Sequence, residues 1–230
     1  MVNKFVSSVT EAMADVRDGA VVLVGGFGEV GQPRDLIDGL IEHGARELTL
    51  VHNNAGVGQF GLARLLELGR VRKVICSFPR SSGSVIFQQL YKEGKIELEL
   101  VPQGTLAERI RAAGAGVAAF YTPTGAGTKL GEGKETRLFN GKLCVLEHAL
   151  YGDVALVEAW CADRWGNLTY KESGRNFNPI MATAAKLTVV QTHHTMELGA
   201  LDPELIITPG IFVDRIVHIP NGNVSFSRSA

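Results

Sequence analysis

Group transfer by a covalent route needs a nucleophile with an activating neighbour, and this chain offers few such pairs. Cys76 follows a strand-like run without an adjacent histidine, and no Gly-x-Ser-x-Gly elbow occurs. Glu147-His148 reads as a strand-end pair, while His193-His194 on a strand would point to opposite faces. Cys76, Cys144 and Cys161 lie far apart without CxxC or HxxC spacing. They read as small buried hydrophobes in a reducing compartment, and no metal set emerges. The run Gly25-Gly26-Phe27-Gly28-Glu29-Val30-Gly31 offers chemistry of another kind. Glycine lets backbone approach a bulky polar ligand. Pro33 then suits the start of a helix, whose exposed N–H groups favour an anion. Glu29 reads as an incidental loop carboxylate.

Three readings of such a loop can be weighed. Gly26-x-Gly28-x-x-Gly31 matches the dinucleotide fingerprint, but that site also wants an acidic residue about 20 positions on, after the next strand. His52-Asn53-Asn54 stands there instead. A P-loop would close on Gly-Lys-Ser/Thr, which is absent. A ligand-free tight turn accounts for one or two glycines more readily than for four.

Elements that position these loops can be read from the pattern. Val21 to Val24 is an aliphatic run suited to a strand buried on both faces. Leu36, Ile37, Leu40 and Ile41 follow at helical spacing, then Leu48-Thr49-Leu50-Val51 as a strand and Leu62 to Leu68 as a helix. Lys73 to Phe78 reads as a strand, Val85 to Glu93 as a helix, and Ile96 to Val101 as a strand with one wet face. Thr105-x-x-Glu108 resembles a capping box opening a helix from Leu106 to Ala113. Repeated β–α units predict an α/β fold, a mostly parallel open sheet with helices on both faces. Ligands on such sheets sit beyond the carboxyl ends of the strands. Gly25–Gly31, Asn53-Asn54, Phe78-Pro79-Arg80 and Gln103-Gly104 all follow strands, so four loops point at one crevice.

The second half is less regular and β-rich. Thr136 to Val145 reads as a hairpin turning at Asn140-Gly141. Val154 to Trp160 and Leu187 to Gln191 read as strands, and Asn178 to Lys186 as a helix. Stretches 123–133 and 199–210 read as loops, and residues from Asn221 onward as a loosely held tail. No linker or repeat divides the chain, so residues 1–230 read as a single domain.

Composition narrows the function classes. Hydrophobic residues make up 45% and charged residues 20%, ordinary values for a globular protein. A formal net charge of −1 gives no electrostatic case for nucleic acid or an acidic membrane. The start lacks the apolar core of a signal peptide, and no apolar run approaches a membrane span. A soluble, cytoplasmic protein is expected.

The segment from Asp18 to Pro33 resembles the signature of the family I coenzyme A transferases at each of its fixed positions. The resemblance continues through His52-Asn53-Asn54-Ala55-Gly56, Val101-Pro102-Gln103-Gly104 and Phe120-Tyr121-Thr122-Pro123-Thr124. It runs on through Asp163 to Leu168, Ala200 to Glu204 and Ile207 to Val213. It is a resemblance to the family's A subunit, which lacks the nucleophile. The resemblance implies a glutamate on a partner B subunit that forms a glutamyl–CoA thioester, with no tightly bound cofactor and a CoA thioester as substrate. It assigns Gly25, Gly26, Phe27, Gly28, Glu29, Val30 and Gly31 to coenzyme A, although the same loop could equally form part of the contact between subunits. It assigns Asn53, Asn54 and Gln103 to the substrate oxyanion; the plainer alternative is that they satisfy loop backbone.

Within the family, Cys76 to Arg80, Gly94 to Leu98 and Gly131 to Arg137 resemble members that move CoA from succinyl-CoA to 3-oxoadipate; acetoacetate is the runner-up acceptor. Arg80 could bind a second substrate carboxylate or be an ordinary surface arginine. Glu147 to Leu150 and Val157 to Cys161 depart from the family pattern. A nicotinamide-linked oxidoreductase and a non-catalytic ligand-binding protein of related fold are the remaining alternatives.

Overall fold

A computed structural model describes residues 2–81 and 83–220; the tail from Asn221 lies outside them. The first half alternates helix and strand: α1 (Val9–Met13), β1 (Val21–Val24), α2 (Arg34–His43), β2 (Leu48–Val51) and α3 (Leu62–Glu67). Then come β3 (Val71–Cys76), α4 (Val85–Lys92), β4 (Glu97–Leu100) and α5 (Gln103–Gly114). Next are β5 (Ala119–Thr122), β6 (Thr136–Phe139) and β7 (Lys142–His148). Last are β8 (Gly152–Asp163), β9 (Leu168–Thr169), α6 (Asn178–Ala182), β10 (Ala185–Met196) and β11 (Arg215–His218).

The main sheet runs β11-β10-β8-β1-β2-β3-β4, and every neighbouring pair in that path is parallel. The short β9 pairs antiparallel with β8. Two apolar layers cover the sheet. One packs Met13 of α1, Leu36, Ile37 and Leu40 of α2, Leu65 of α3 and Phe87 of α4 against Val22, Val24 and Leu50. The other packs Leu106 and Ile110 of α5 and Met181 of α6 against Leu23, Val51 and Val157. Neighbours in a strand thus feed opposite layers, which explains why β1 and β2 read as unbroken aliphatic runs. Each of these leucines or isoleucines contributes about 2 kcal/mol by leaving water.

The expected α/β architecture is what forms, with helices on both faces. The second half is more integrated than its sequence suggests: β8 pairs directly with β1, and β10 continues the sheet beyond it. Among the described residues, β5-β7-β6 alone forms a separate antiparallel sheet. Its hairpin turns at Asn140 and Gly141, both with positive φ (48° and 75°), as a primed turn requires.

Three local expectations need correction. The helix assigned to Asn178–Lys186 stops at Ala182, because Gly152 N–H donates to the Ala184 carbonyl and Ala185 pairs with Gly152 in the sheet. Sheet pairing there overrides the helical preference of Ala-Ala-Lys. The helix assigned to Leu106–Ala113 begins at Gln103, so Thr105 lies inside its first turn and is no cap. Pro102, with extended ψ of 138°, is the residue that turns the chain into α5. On β4 the wet-face alternation is imperfect: Leu100 is exposed at this sheet edge.

Candidate active site at the strand ends

Asn53 lies at the carboxyl end of β2 and is buried. Its Oδ1 accepts two hydrogen bonds, from Gln103 Nε2 at 2.8 Å and from Ser77 Oγ at 2.7 Å. The Asn53 carbonyl also accepts the N–H groups of Ser77 and Phe78 at 3.2 and 3.0 Å. Loops following β2, β3 and β4 are therefore joined through one amide. With Oδ1 doubly occupied, the Asn53 NH2 is the end left to donate elsewhere. Gln103 is exposed as the first residue of α5, and Pro102 before it contributes no side-chain cap. Amide donors and an open helix N-terminus thus converge without a formal charge, a combination suited to developing oxyanions.

The glycine segment is a miniature hairpin. Phe27 and Val30 exchange backbone bonds of 2.9 and 3.1 Å, with Gly28 and Glu29 at the tip. Gly28 has φ +62° and nothing near the position of a side chain, so backbone there is open to a ligand. Gly25 and Gly31 are glycines for a different reason. A Cβ on Gly25 would lie 1.8 Å from Asn178 Oδ1, and one on Gly31 would lie 2.5 Å from the Gly174 carbonyl. Asn178 is fully buried; its Nδ2 donates to the carbonyls of Gly31 and Gly174 at 2.8 and 2.9 Å. Asn176 Nδ2 donates to the Val30 carbonyl at 3.0 Å. Residues 174–178 therefore grip the far arm of the hairpin, leaving Gly28 and Glu29 at its tip half-buried.

The expected anion site at the start of α2 is not offered to a ligand. Gln191 Oε1, reaching from β10, accepts the N–H groups of Asp35 and Leu36 at 3.1 and 3.3 Å. Pro33 contributes no side-chain cap, and the tertiary contact from Gln191 replaces one. The start of α5, whose Gln103 bonds Asn53, receives no such cap from Pro102.

Asn54 brings the amides to the hairpin: it shares a cleft of about 10 Å³ with Gly28, Glu29, Gln32 and Phe60. Gln32 Nε2 donates to the Gly28 carbonyl at 3.3 Å. Glu29 pairs with Arg34 at 3.2 Å, and the Arg34 guanidinium lies over the Phe60 ring at 5.2 Å. Arg80 is exposed on the loop after β3 and joins none of these contacts. Phe27, Phe60 and Phe78 are exposed on the loops around the amides. Cys76 is buried beneath them, and burial pushes its thiol up to about 12, so it is no nucleophile. A cavity of about 530 Å³ lies at the opposite, amino ends of β1, β8 and β10. It is lined by Asp18, Asp153 and Lys186 and holds none of the amide donors. The strand-end crevice is the better site on chemistry despite its smaller hollows.

Sequence reasoning brought together Asn53, Asn54, Gln103 and the glycine loop. It missed Ser77, Asn176, Asn178 and Gln191, whose partners are distant in the chain. The strand expected over Lys73 to Phe78 ends at Cys76, which frees Ser77 to reach Asn53. Among the described residues no group of three or more His, Cys, Asp or Glu is placed to hold a metal ion, and no helix is long and apolar enough to cross a membrane.

Comparison with known proteins bears on this geometry. The profile of the family described as Coenzyme A transferase matches residues 6–218. The chain is 57% identical over 225 residues to the A subunit of 3-oxoadipate CoA-transferase from Pseudomonas putida, covering 98% of this chain and 97% of that one. It is 47% identical over 214 residues to the A subunit of a probable succinyl-CoA:3-ketoacid coenzyme A transferase from Bacillus subtilis, covering 93% and 89%. Its fold matches an acyl-CoA transferase from E. coli O157:H7, solved as a thioester complex with CoA, at TM-score 0.86 and 21% identity. That match covers 98% of this chain and 51% of the other, so the chain spans about half the length of the solved protein. This chain belongs to the coenzyme A transferase family.

Proposed function

We propose that the chain is the A subunit of a heteromeric transferase that moves CoA from succinyl-CoA to a 3-oxo acid, with 3-oxoadipate as the foremost acceptor. The observation that carries this reading is 57% identity across 98% of the chain to the A subunit of a 3-oxoadipate CoA-transferase. The uncharged cluster of Asn53, Ser77 and Gln103 supports it chemically. A glutamate of the B subunit displaces the CoA thiolate from the thioester. The thiolate then attacks the glutamyl carbonyl, releasing succinate and leaving a glutamyl–CoA thioester. The carboxylate of the 3-oxo acid runs the same steps in reverse, giving the new acyl-CoA and restoring the glutamate. Each exchange passes through a carbonyl oxygen that gains negative charge, and amide N–H groups stabilise that charge without neutralising the partner's carboxylate. The tip of the glycine hairpin, Phe27 to Val30, borders the CoA chain in this arrangement.

Acetoacetate is the second acceptor, favoured by 47% identity to the relative that acts on 3-ketoacids by its name. The test mixes the purified chain with its B subunit, succinyl-CoA and each acid in turn. Transfer should appear only in the mixture, fastest with 3-oxoadipate. Robust transfer by this chain alone would overturn the division of labour.

A further inference from the structure

Beneath the amide cluster sits a titratable ring that the transfer chemistry leaves unused. His52, the first residue after β2, is fully buried. Its Nδ1 lies 2.7 Å from the carbonyl of Val24, the last residue of β1. The Gly28 carbonyl and the Asn54 side chain border the same ring. Val24 is the root of the glycine hairpin and Gly28 its tip, so one imidazole touches both ends of the loop and the second amide of the Asn pair.

Two buried polar atoms here have no hydrogen-bond partner among the described residues: His52 Nε2 and Asn54 Oδ1. Burial lowers the proton affinity of the imidazole, outweighing the Val24 and Gly28 carbonyls and the Asn54 amide. With Nδ1–H donated to Val24, the uncharged ring presents Nε2 as an acceptor. An unpaired buried acceptor is costly, and a state of the protein that pairs it is favoured by that amount. The Asn54 NH2 is the donor at hand. Turned onto Nε2, it leaves Oδ1 facing the crevice, where it can accept an N–H from the amide-bearing arm of a CoA thioester.

We infer that His52 is a positioning residue: it fixes the glycine hairpin against Asn54, and its Nε2 receives the Asn54 amide when acyl-CoA is bound. The inference rests on the transferase reading and is tested in the complex of this chain with its B subunit. His52→Asn keeps an N–H for the Val24 carbonyl but has no atom at Nε2. It should raise KM for the acyl-CoA by about fivefold or more while leaving KM for the 3-oxo acid within about twofold. His52→Ala, which loses both contacts, should do at least as much. Unchanged KM values in H52N, or an equal rise for both substrates, overturn the inference.

Should neither variant assemble, the wild-type complex decides, with 15N-histidine in this chain only. One of its six imidazoles should show an Nε2 signal that moves on addition of succinyl-CoA. Six unmoved Nε2 signals overturn the proposal. A wild-type complex that transfers nothing overturns the transferase reading and this inference with it. Active wild type beside an unaltered H52N overturns this inference alone.

Discussion

Asn53 is oriented before any ligand arrives, because Gln103 and Ser77 both donate to its oxygen. Preorganised donors of this kind do not have to be ordered at the moment of reaction, which is why losing one is expensive. Gln103→Ala should therefore lower kcat by roughly 10- to 100-fold, with folding unaffected since Gln103 is exposed. Steady-state rates beside a melting curve check this, and unchanged turnover would remove Gln103 from the site. Arg80 presents a separate question, because it is exposed and takes no part in the hydrogen bonds of Asn53, Ser77 and Gln103. As a ligand for a second substrate carboxylate it would discriminate between acids. Arg80→Ala should then slow transfer to 3-oxoadipate more than to acetoacetate; equal losses in kcat/KM would make it an ordinary surface arginine.

The glycine hairpin is held as an element, and the hold comes from the other half of the chain. Asn178 spans Gly31, Gly174 and the Glu158 N–H, the last at 2.9 Å, so β8, α6 and the hairpin share one side chain. Gly31 has φ +66°, and a methyl group there would meet the Gly174 carbonyl. Gly31→Ala should destabilise the chain by about 1–3 kcal/mol through strain and displacement of that segment. Urea titration measures it. Stability within error of wild type would mean that residues 174–178 give way freely.

Across the whole molecule, pH couples to folding through two buried histidines with opposite signs. His193 on β10 faces Glu158 on β8, at 3.7 Å between Nε2 and Oε1, and Asp35 on α2 adds its charge. The Glu158 carboxylate raises the pKa of His193 against its burial. Its contribution is complete below the ordinary histidine value of 6.5 and is lost as pH rises through the higher folded value. For His52, burial lowers the pKa, so its contribution holds above 6.5 and is lost as pH falls toward the lower folded value. His193→Gln should flatten the fall in melting temperature on the alkaline side of 6.5 while leaving the acid side in place. Thermal scans across that range decide it, and an alkaline limb of unchanged slope would show that the pair does not couple to folding.

Local pattern determined a good deal of this protein. Aliphatic runs such as Val21–Val24 fixed β1 and β2, helical spacing of leucines fixed α2 and α3, and Asn140-Gly141 fixed a turn, because each depends on neighbours a few residues away. The parallel rule then placed four loops at one end of the sheet, and the motifs around Gly25, Asn53 and Gln103 gave the family. Tertiary structure alone decided the rest. That β8 lies beside β1, that Gln191 takes the start of α2, that Asn178 makes Gly25 obligatory and that the Gly174 carbonyl does the same for Gly31 all join residues more than 120 positions apart. Contacts of that range leave no periodicity in the chain. They arise only when burial of both faces of the sheet brings distant strands into register.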